Sequence, residues 1–76
     1  MEKLVEYVAK SLVEEPDEVQ VDIVRDSDSE QVIELHVAAD DRGRVIGKNG
    51  RTAHALRTLL DAASPESVTV TLDIVD

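Results

Sequence analysis

Residues 42–57 read RGRVIGKNGRTAHALR, and this stretch decides how the rest of the chain is arranged. All three glycines of the protein lie between positions 43 and 50. A turn between two helices needs one glycine at most, to adopt a positive φ. Two glycines on either side of Lys48 and Asn49 therefore indicate a second requirement, namely that a ligand approaches the main chain closely where no Cβ stands in the way.

The chemistry around these glycines predicts that the ligand carries phosphate. The N–H groups that open the following helix point at such an anion, and the positive end of the helix dipole attracts it. Lys48 adds a charge at the tip of the loop, and Asn49 tolerates left-handed backbone. Arg51 stands in the first turn of the next helix, where a cation opposes the dipole, and a bound anion removes that conflict.

Charge is distributed very unevenly along the chain. The 76 residues carry a net charge of −9, yet residues 42–57 hold five basic residues and no acid. The remainder has three basic residues against 17 acids. Such an acidic body repels polyanions in general, while a local positive segment still holds a few phosphates. This clustering favours phosphate contact over an ordinary solvated helix face.

Hydrophobic periodicity predicts the elements on either side. Apolar residues at helical spacing predict a helix over residues 2–14, which Pro16 ends. Alternation with a period of two predicts strands around residues 19–23, 33–37 and 68–74. Short polar residues at 26–29 predict the turn between the first two strands.

Two further helices are predicted between the second and third strands. Asp40 is expected to cap a short helix that ends near Val45. A longer helix follows from about residue 51 to 63. It is expected to bury Ala53, Leu56, Leu59 and Leu60.

The predicted order is α-β-β-α-α-β. Every strand has one apolar and one polar face, so one face of the sheet is packed and the other is wet. The sequence therefore predicts an α+β fold in which helices pack on one face of a three-stranded sheet. Residues 1–76 are expected to form a single domain.

The segment from Val45 through Ile46, Gly47, Lys48 and Asn49 to Gly50, followed by Arg-Thr-Ala, resembles the (I/V)-I-G-x-x-G core of KH domains. The element order resembles the type II, prokaryotic form of that fold. The length, the opening helix and the ending resemble those of small bacterial single-KH RNA-binding proteins of the KhpA type. The resemblance covers essentially the whole chain.

The resemblance implies a groove for about four unpaired nucleotides, with the Gly47–Gly50 loop clamping their backbone. The third helix and the second strand would form its walls. Ile46, Ala53 and Leu56 would floor it, although plain core packing is the alternative role for Ile46 and Leu56. The residues expected to contact RNA are Gly43, Arg44, Ile46, Gly47, Lys48, Asn49, Gly50, Arg51, Ala53, His54 and Arg57.

The resemblance also implies partners. Single-stranded RNA is the first, which suggests an RNA chaperone or post-transcriptional regulator. A second copy, or a larger Jag-type KH protein, is the second. The alternative function is therefore a protein-interaction module in which RNA contact is secondary. The wet sheet face, with apolar Val24, Val32 and Val75, and the stripe of the first helix are candidate surfaces.

Other binding modules fit the sequence poorly. A nucleotide-binding P-loop needs four residues between its glycines and Ser or Thr after its Lys. Here three residues separate Gly43 from Gly47, and Asn49 follows Lys48. RNA-binding modules that stack bases on aromatic rings are disfavoured as well. The chain has no Phe or Trp, and its one Tyr is remote from the basic stretch in sequence.

Nothing in the sequence predicts catalysis. His36 and His54 are interpreted as ordinary surface residues, and without Cys or paired ligand spacing no metal or cofactor is expected. Asp40 and Asp41 are interpreted as helix-capping residues rather than as an acid/base pair. The absence of a signal peptide and of an apolar run of about 20 residues favours a cytoplasmic protein without a membrane segment.

Overall fold

The computed structural model describes residues 1–75 and has the predicted element order. Short 3₁₀ turns at Pro16–Glu18, Ala39–Asp41 and Lys48–Gly50 join some of the elements. The helices are α1 (Glu2–Leu12), α2 (Arg42–Ile46) and α3 (Arg51–Ala63), and the strands are β1 (Gln20–Asp26), β2 (Glu30–His36) and β3 (Thr69–Val75).

The three strands form one mixed sheet in the order β1-β2-β3. β2 is central and pairs antiparallel with β1 and parallel with β3. Ile33 of β2 lies opposite Ile23 on one side and Leu72 on the other, so aliphatic side chains from all three strands share one face. A register shift between Ile23 and Arg25 leaves Val24 unpaired and exposed.

The core lies between this apolar sheet face and the helices. α1 contributes Val5 and Ala9, both fully buried, and α3 contributes Leu56 and Leu60. The opposite sheet face is polar, with Asp22 of β1 opposite Glu34 of β2. The prediction of an α+β fold with a type II KH order is thereby confirmed.

Two expectations about α2 and α3 were wrong. Leu59 is 44% exposed, because it lies one residue, or about 100°, away from the buried stripe that ends at Leu60. Asp40 does not cap α2: it is exposed in the Ala39–Asp41 turn, and Asp41 occupies the position before α2. Within residues 1–75 no helix combines the length and apolarity that crossing a membrane requires.

Candidate nucleic-acid interface

The loop between α2 and α3 has the unusual backbone that its glycines predict. Gly47 has a φ of 77° and Gly50 a φ of 74°, and between them Asn49 is left-handed with a φ of 58°. The turn is closed by two backbone hydrogen bonds, from the Gly47 amide to the Gly43 carbonyl at 2.8 Å and from the Gly50 amide to the Gly47 carbonyl at 3.1 Å. Asn49 therefore serves as the predicted left-handed residue.

The two loop glycines differ in what surrounds them. A Cβ on Gly47 would lie 2.8 Å from both the Cβ and the backbone nitrogen of Thr52, so Gly47 allows the loop to pack against the first turn of α3. A Cβ on Gly50 would meet nothing within 4 Å. Gly50 thus leaves open space above the start of α3, as does Gly43 above the first turn of α2. Gly47 shapes the loop, whereas Gly50 leaves it accessible.

Positive charge collects at the start of α3. No side chain within residues 1–75 caps this 13-residue helix, and the Arg51 amide that opens it donates to the Lys48 carbonyl. Lys48 and Arg51 are both exposed at this end. Among residues 1–75, neither side chain makes an ion pair or a hydrogen bond, in contrast to the arginines on either side of the loop. Lys48 and Arg51 therefore place positive charge at the end of α3 where the helix dipole is also positive, an arrangement that attracts anions.

Arg44 is held by carboxylates. Its Nε donates to Asp41 at 3.1 Å, and its Nη2 lies 3.0 Å from the Glu14 carboxylate. Asp41 is only 2% exposed and also accepts hydrogen bonds from the backbone amides of Glu14, at 3.0 Å, and Glu15, at 3.1 Å. Asp41 therefore fastens the segment after α1 to the base of α2, the helix that leads into the loop.

The charge of Asp41 is stabilised by these partners. The Glu14 amide is the main cause that holds the pKa of Asp41 below its ordinary value, joined by the Glu15 amide and the Arg44 guanidinium and opposed by burial. The sequence analysis did not predict this role of Asp41. Glu14 and Glu15 follow the end of the apolar helical pattern, so their backbone amides need an acceptor outside the helix.

Arg57 and His54 lie further along α3. The Arg57 guanidinium donates from Nε and Nη2 to the carbonyl of Leu72, at 3.3 and 3.1 Å, and so joins α3 to β3. His54 is exposed one turn after Arg51. The structure thus places all four predicted arginine and lysine contacts near the loop, but only Lys48 and Arg51 are without a protein partner among the described residues.

A cleft of about 430 Å³ adjoins the loop. The half-buried Ile46 and the buried Ala53 line this cleft, whereas Leu56 is buried in the core. The expectation that the second strand forms a wall was wrong, because β2 is central in the sheet and β3 is the edge next to α3. The lining residues are Ile46, Gly50, Ala53, Arg57, Asp73, Ile74 and Val75.

The geometry also bears on the other binding classes. The loop is preceded by helix α2, whereas a P-loop follows a strand. Tyr7, the one aromatic residue, is exposed on α1 and does not line the cleft. Within residues 1–75, no group of three or more His, Asp or Glu side chains is arranged to hold a metal ion. His36 instead lies 3.4 Å from Asp22 and 3.7 Å from Glu34 on the polar sheet face.

Comparisons relate nearly the whole chain to known proteins. The family model described as "KhpA/KhpB, KH domain" matches residues 2–74. The RNA-binding protein KhpA of Clostridium acetobutylicum is 49% identical over 76 residues, which covers 99% of this chain and 100% of the relative. The proteins of the same name from Treponema pallidum and Streptomyces coelicolor are each 45% identical, covering 99% and 100% of this chain and 94% and 95% of the relative. No solved structure matches the chain significantly.

Proposed function

Because this chain belongs to the KhpA/KhpB family of KH domains, we propose that it binds single-stranded RNA by gripping the phosphate backbone with the Gly47–Gly50 loop. Its relatives of similar length are named RNA-binding proteins. The proposal concerns which part of the chain holds the RNA and how it does so.

One observation carries the proposal: Lys48 and Arg51 flank the start of α3, and neither has an ion pair or side-chain hydrogen bond within residues 1–75. A phosphate placed above Gly50 meets open space rather than a Cβ, and it is attracted by the two cations and by the positive end of the α3 dipole. Arg44 and Arg57, the other arginines predicted to contact RNA, are already bound to Asp41 and to the Leu72 carbonyl, respectively. The anion site is therefore small, suited to one or two phosphates rather than to a long polyanion.

The adjoining cleft suits the bases of the same strand. Ile46 and Ala53 offer aliphatic surface beside the phosphate site, and the edge of β3 offers backbone groups. Single-stranded nucleotides splay their bases into such surfaces, and KH domains accommodate about four nucleotides in this way. Unpaired RNA fits this site better than a duplex, in which the base edges are already paired.

The acidic body limits this function to modest, local binding. Outside residues 42–57 acids far outnumber bases, so the body repels RNA at long range and binding depends on the loop and cleft. We propose that the protein works in the cytoplasm as an RNA chaperone or post-transcriptional regulator, in which transient grip on unpaired segments is sufficient.

A second function, pairing with another KH protein, is favoured by the exposed apolar residues of α3. Leu59 lies on the same helix face as Ala55 and Ala62, and all three are exposed. A second copy of the chain, or a larger Jag-type KH protein, would cover this surface. Sedimentation of wild type and Leu59→Asp tests this: a dimer that becomes monomeric supports pairing through α3, and a wild type that stays monomeric with and without such a partner refutes it.

The test of RNA binding uses two variants with equal charge change. Lys48→Asp/Asn49→Asp lowers the net charge by three at the loop, and Lys3→Asp/Lys10→Gln lowers it by three on α1. Binding of a short unstructured RNA is measured by fluorescence anisotropy, with circular dichroism to confirm folding. We expect the loop variant to lose binding and the α1 variant to keep it. Equal losses of RNA affinity in the two variants would mean that only the net charge of the protein matters. Unchanged affinity in both variants would show that the loop does not hold the phosphate.

A further inference from the structure

One side chain joins the two walls of the cleft. The Arg57 guanidinium donates from Nε and Nη2 to the Leu72 carbonyl, at 3.3 and 3.1 Å. Arg57 lines the cleft on the α3 side, and Leu72 directly precedes the β3 residues 73–75 that line it on the other side. Within residues 1–75, no other side chain makes a hydrogen bond or an ion pair between α3 and β3. The Arg57–Leu72 bridge is therefore the polar link between the two walls.

This bridge lies where the packed core gives way to the cleft. On β3, Val70 and Leu72 are buried, whereas Ile74 and Val75, which line the cleft, are only half-buried. On α3, Arg57 lies about 9 Å along the helix axis from the start of the helix at the loop. The bridge thus stands at the end of the cleft farther from the loop, at the point where the burial of β3 decreases.

Packing fixes the distance between α3 and β3 in the core but less so along the cleft. Leu56 and Leu60 of α3 share the core with Leu72, and close packing determines the distance between helix and strand there. Ala53, which lies closer to the loop, has only a methyl group and lines the open space of the cleft. β3 is also an edge strand, which pairs with β2 alone. The position of the β3 wall relative to α3 therefore depends on the Arg57–Leu72 bridge as well as on packing.

The chemistry of this bridge is specific to arginine. A guanidinium is planar and places two N–H groups on one carbonyl oxygen, and its permanent charge strengthens both hydrogen bonds. The acceptor is a backbone oxygen, so the bridge holds the main chain of β3 rather than a mobile side chain. A lysine at position 57 would keep the charge, but its flexible stem lacks the planar fork.

We propose that Arg57 is a positioning residue of the cleft: it holds the α3 and β3 walls at the separation that accepts bases, and it acts through the Leu72 carbonyl rather than through a phosphate. This role rests on the proposed binding of RNA, in which the loop holds the phosphates and the cleft holds the bases. Gly50 belongs to both the loop and the cleft lining, so the two parts of the site are contiguous. Arg57 therefore contributes to the binding of bases and not to the salt-sensitive grip on phosphates.

The experiment separates bases from phosphates with two probes. One is an unstructured RNA hexamer, and the other is a hexamer of the same ribose phosphates without bases. Binding of both is measured by fluorescence anisotropy, with circular dichroism to confirm folding, and wild type should bind the RNA hexamer more tightly than the abasic one. Arg57→Lys should bind the RNA hexamer about fivefold less tightly, which is the worth of one hydrogen bond of ordinary net strength. Its affinity for the abasic hexamer should be unchanged, which a general loss of structure would not allow.

Arg57→Met removes the charge as well and tests the alternative that Arg57 contacts a phosphate. It should weaken binding of the RNA hexamer as Arg57→Lys does, with the same log–log salt slope as wild type. A phosphate contact would instead be kept in Arg57→Lys and would make the slope of Arg57→Met shallower by about 0.7, and that result overturns the proposal.

Arg25→Lys is the matched control, because Arg25 pairs with Glu30 on the hairpin of β1 and β2 and does not line the cleft. It should bind both hexamers as wild type does, and a loss equal to that of Arg57→Lys overturns the positioning role. So does an Arg57→Lys variant that keeps its affinity for RNA or loses affinity for both probes equally, or a wild type that binds the two hexamers equally. A wild type that binds neither hexamer overturns the proposed function itself.

Discussion

Replacing each loop glycine by alanine separates the two tasks that the loop performs. Gly47 and Gly50 have nearly the same positive φ, 77° and 74°, so a comparison between them largely cancels the φ penalty. Their surroundings differ, because a Cβ on Gly47 overlaps Thr52 while a Cβ on Gly50 meets open space. Gly47→Ala is therefore expected mainly to lower stability, and Gly50→Ala mainly to lower RNA affinity.

The magnitude follows from these two environments. Gly47 also has a ψ of 171°, in a region that is essentially restricted to glycine and costs other residues about 1–3 kcal/mol. Overpacking against Thr52 adds about 1–3 kcal/mol. Gly50→Ala bears only the left-handed penalty of about 1–2 kcal/mol. In a domain of this size, whose total stability is about 4–11 kcal/mol, Gly47→Ala removes a large share.

Urea denaturation and RNA binding of the same two variants test this reasoning. Gly47→Ala should lower the free energy of unfolding by about 2 kcal/mol more than Gly50→Ala does. Gly50→Ala should stay folded at low temperature but lose RNA affinity, since its methyl group enters the space in which a phosphate would approach. Equal losses of stability, or a folded Gly50→Ala that binds RNA normally, would refute the distinction between a shaping and an accessible glycine.

Three further outcomes are expected. Asp41→Asn should have a lower free energy of unfolding than wild type at pH 7. The difference between the two proteins should narrow below about pH 4, because a carboxylate with a lowered pKa loses its contribution to stability when acid protonates it. A difference that does not change with pH in urea denaturation would contradict this. Leu60→Ala should cost about 2–5 kcal/mol and Leu59→Ala less than about 0.5 kcal/mol by thermal unfolding, and similar costs would place Leu59 in the core. RNA affinity should fall with salt at a log–log slope of about −1.4 if Lys48 and Arg51 each pair with one phosphate, and a slope beyond about −3 would require more contacts.

The element order and the loop could be predicted from the sequence because local patterns determine them. Alternation of apolar residues defines strands, and the spacing of Gly47 and Gly50 around Lys48-Asn49 defines the turn. The position of Leu59 could not be predicted, because a helix stripe read from sequence is uncertain by about one residue and a single step of about 100° moves a side chain from core to solvent.

The partners of the charged residues depend on tertiary contacts that sequence spacing does not contain. Asp41 binds the Glu14 and Glu15 amides, which are 27 and 26 residues away in the chain, and this contact also determines what Arg44 does. The cleft wall was misplaced for a similar reason. Whether β2 or β3 borders α3 depends on the order of strands in the sheet, which the order along the chain leaves open.

Nuclear magnetic resonance tests the central claim most directly. Backbone amide shifts of the wild-type chain are followed while a short unstructured RNA is added. We predict that the largest changes lie at residues 47–53, with a second group at residues 73–75 along the cleft edge of β3. Changes confined to other surfaces, such as α1 or the polar face of the sheet, would contradict the claim that this loop grips the RNA backbone.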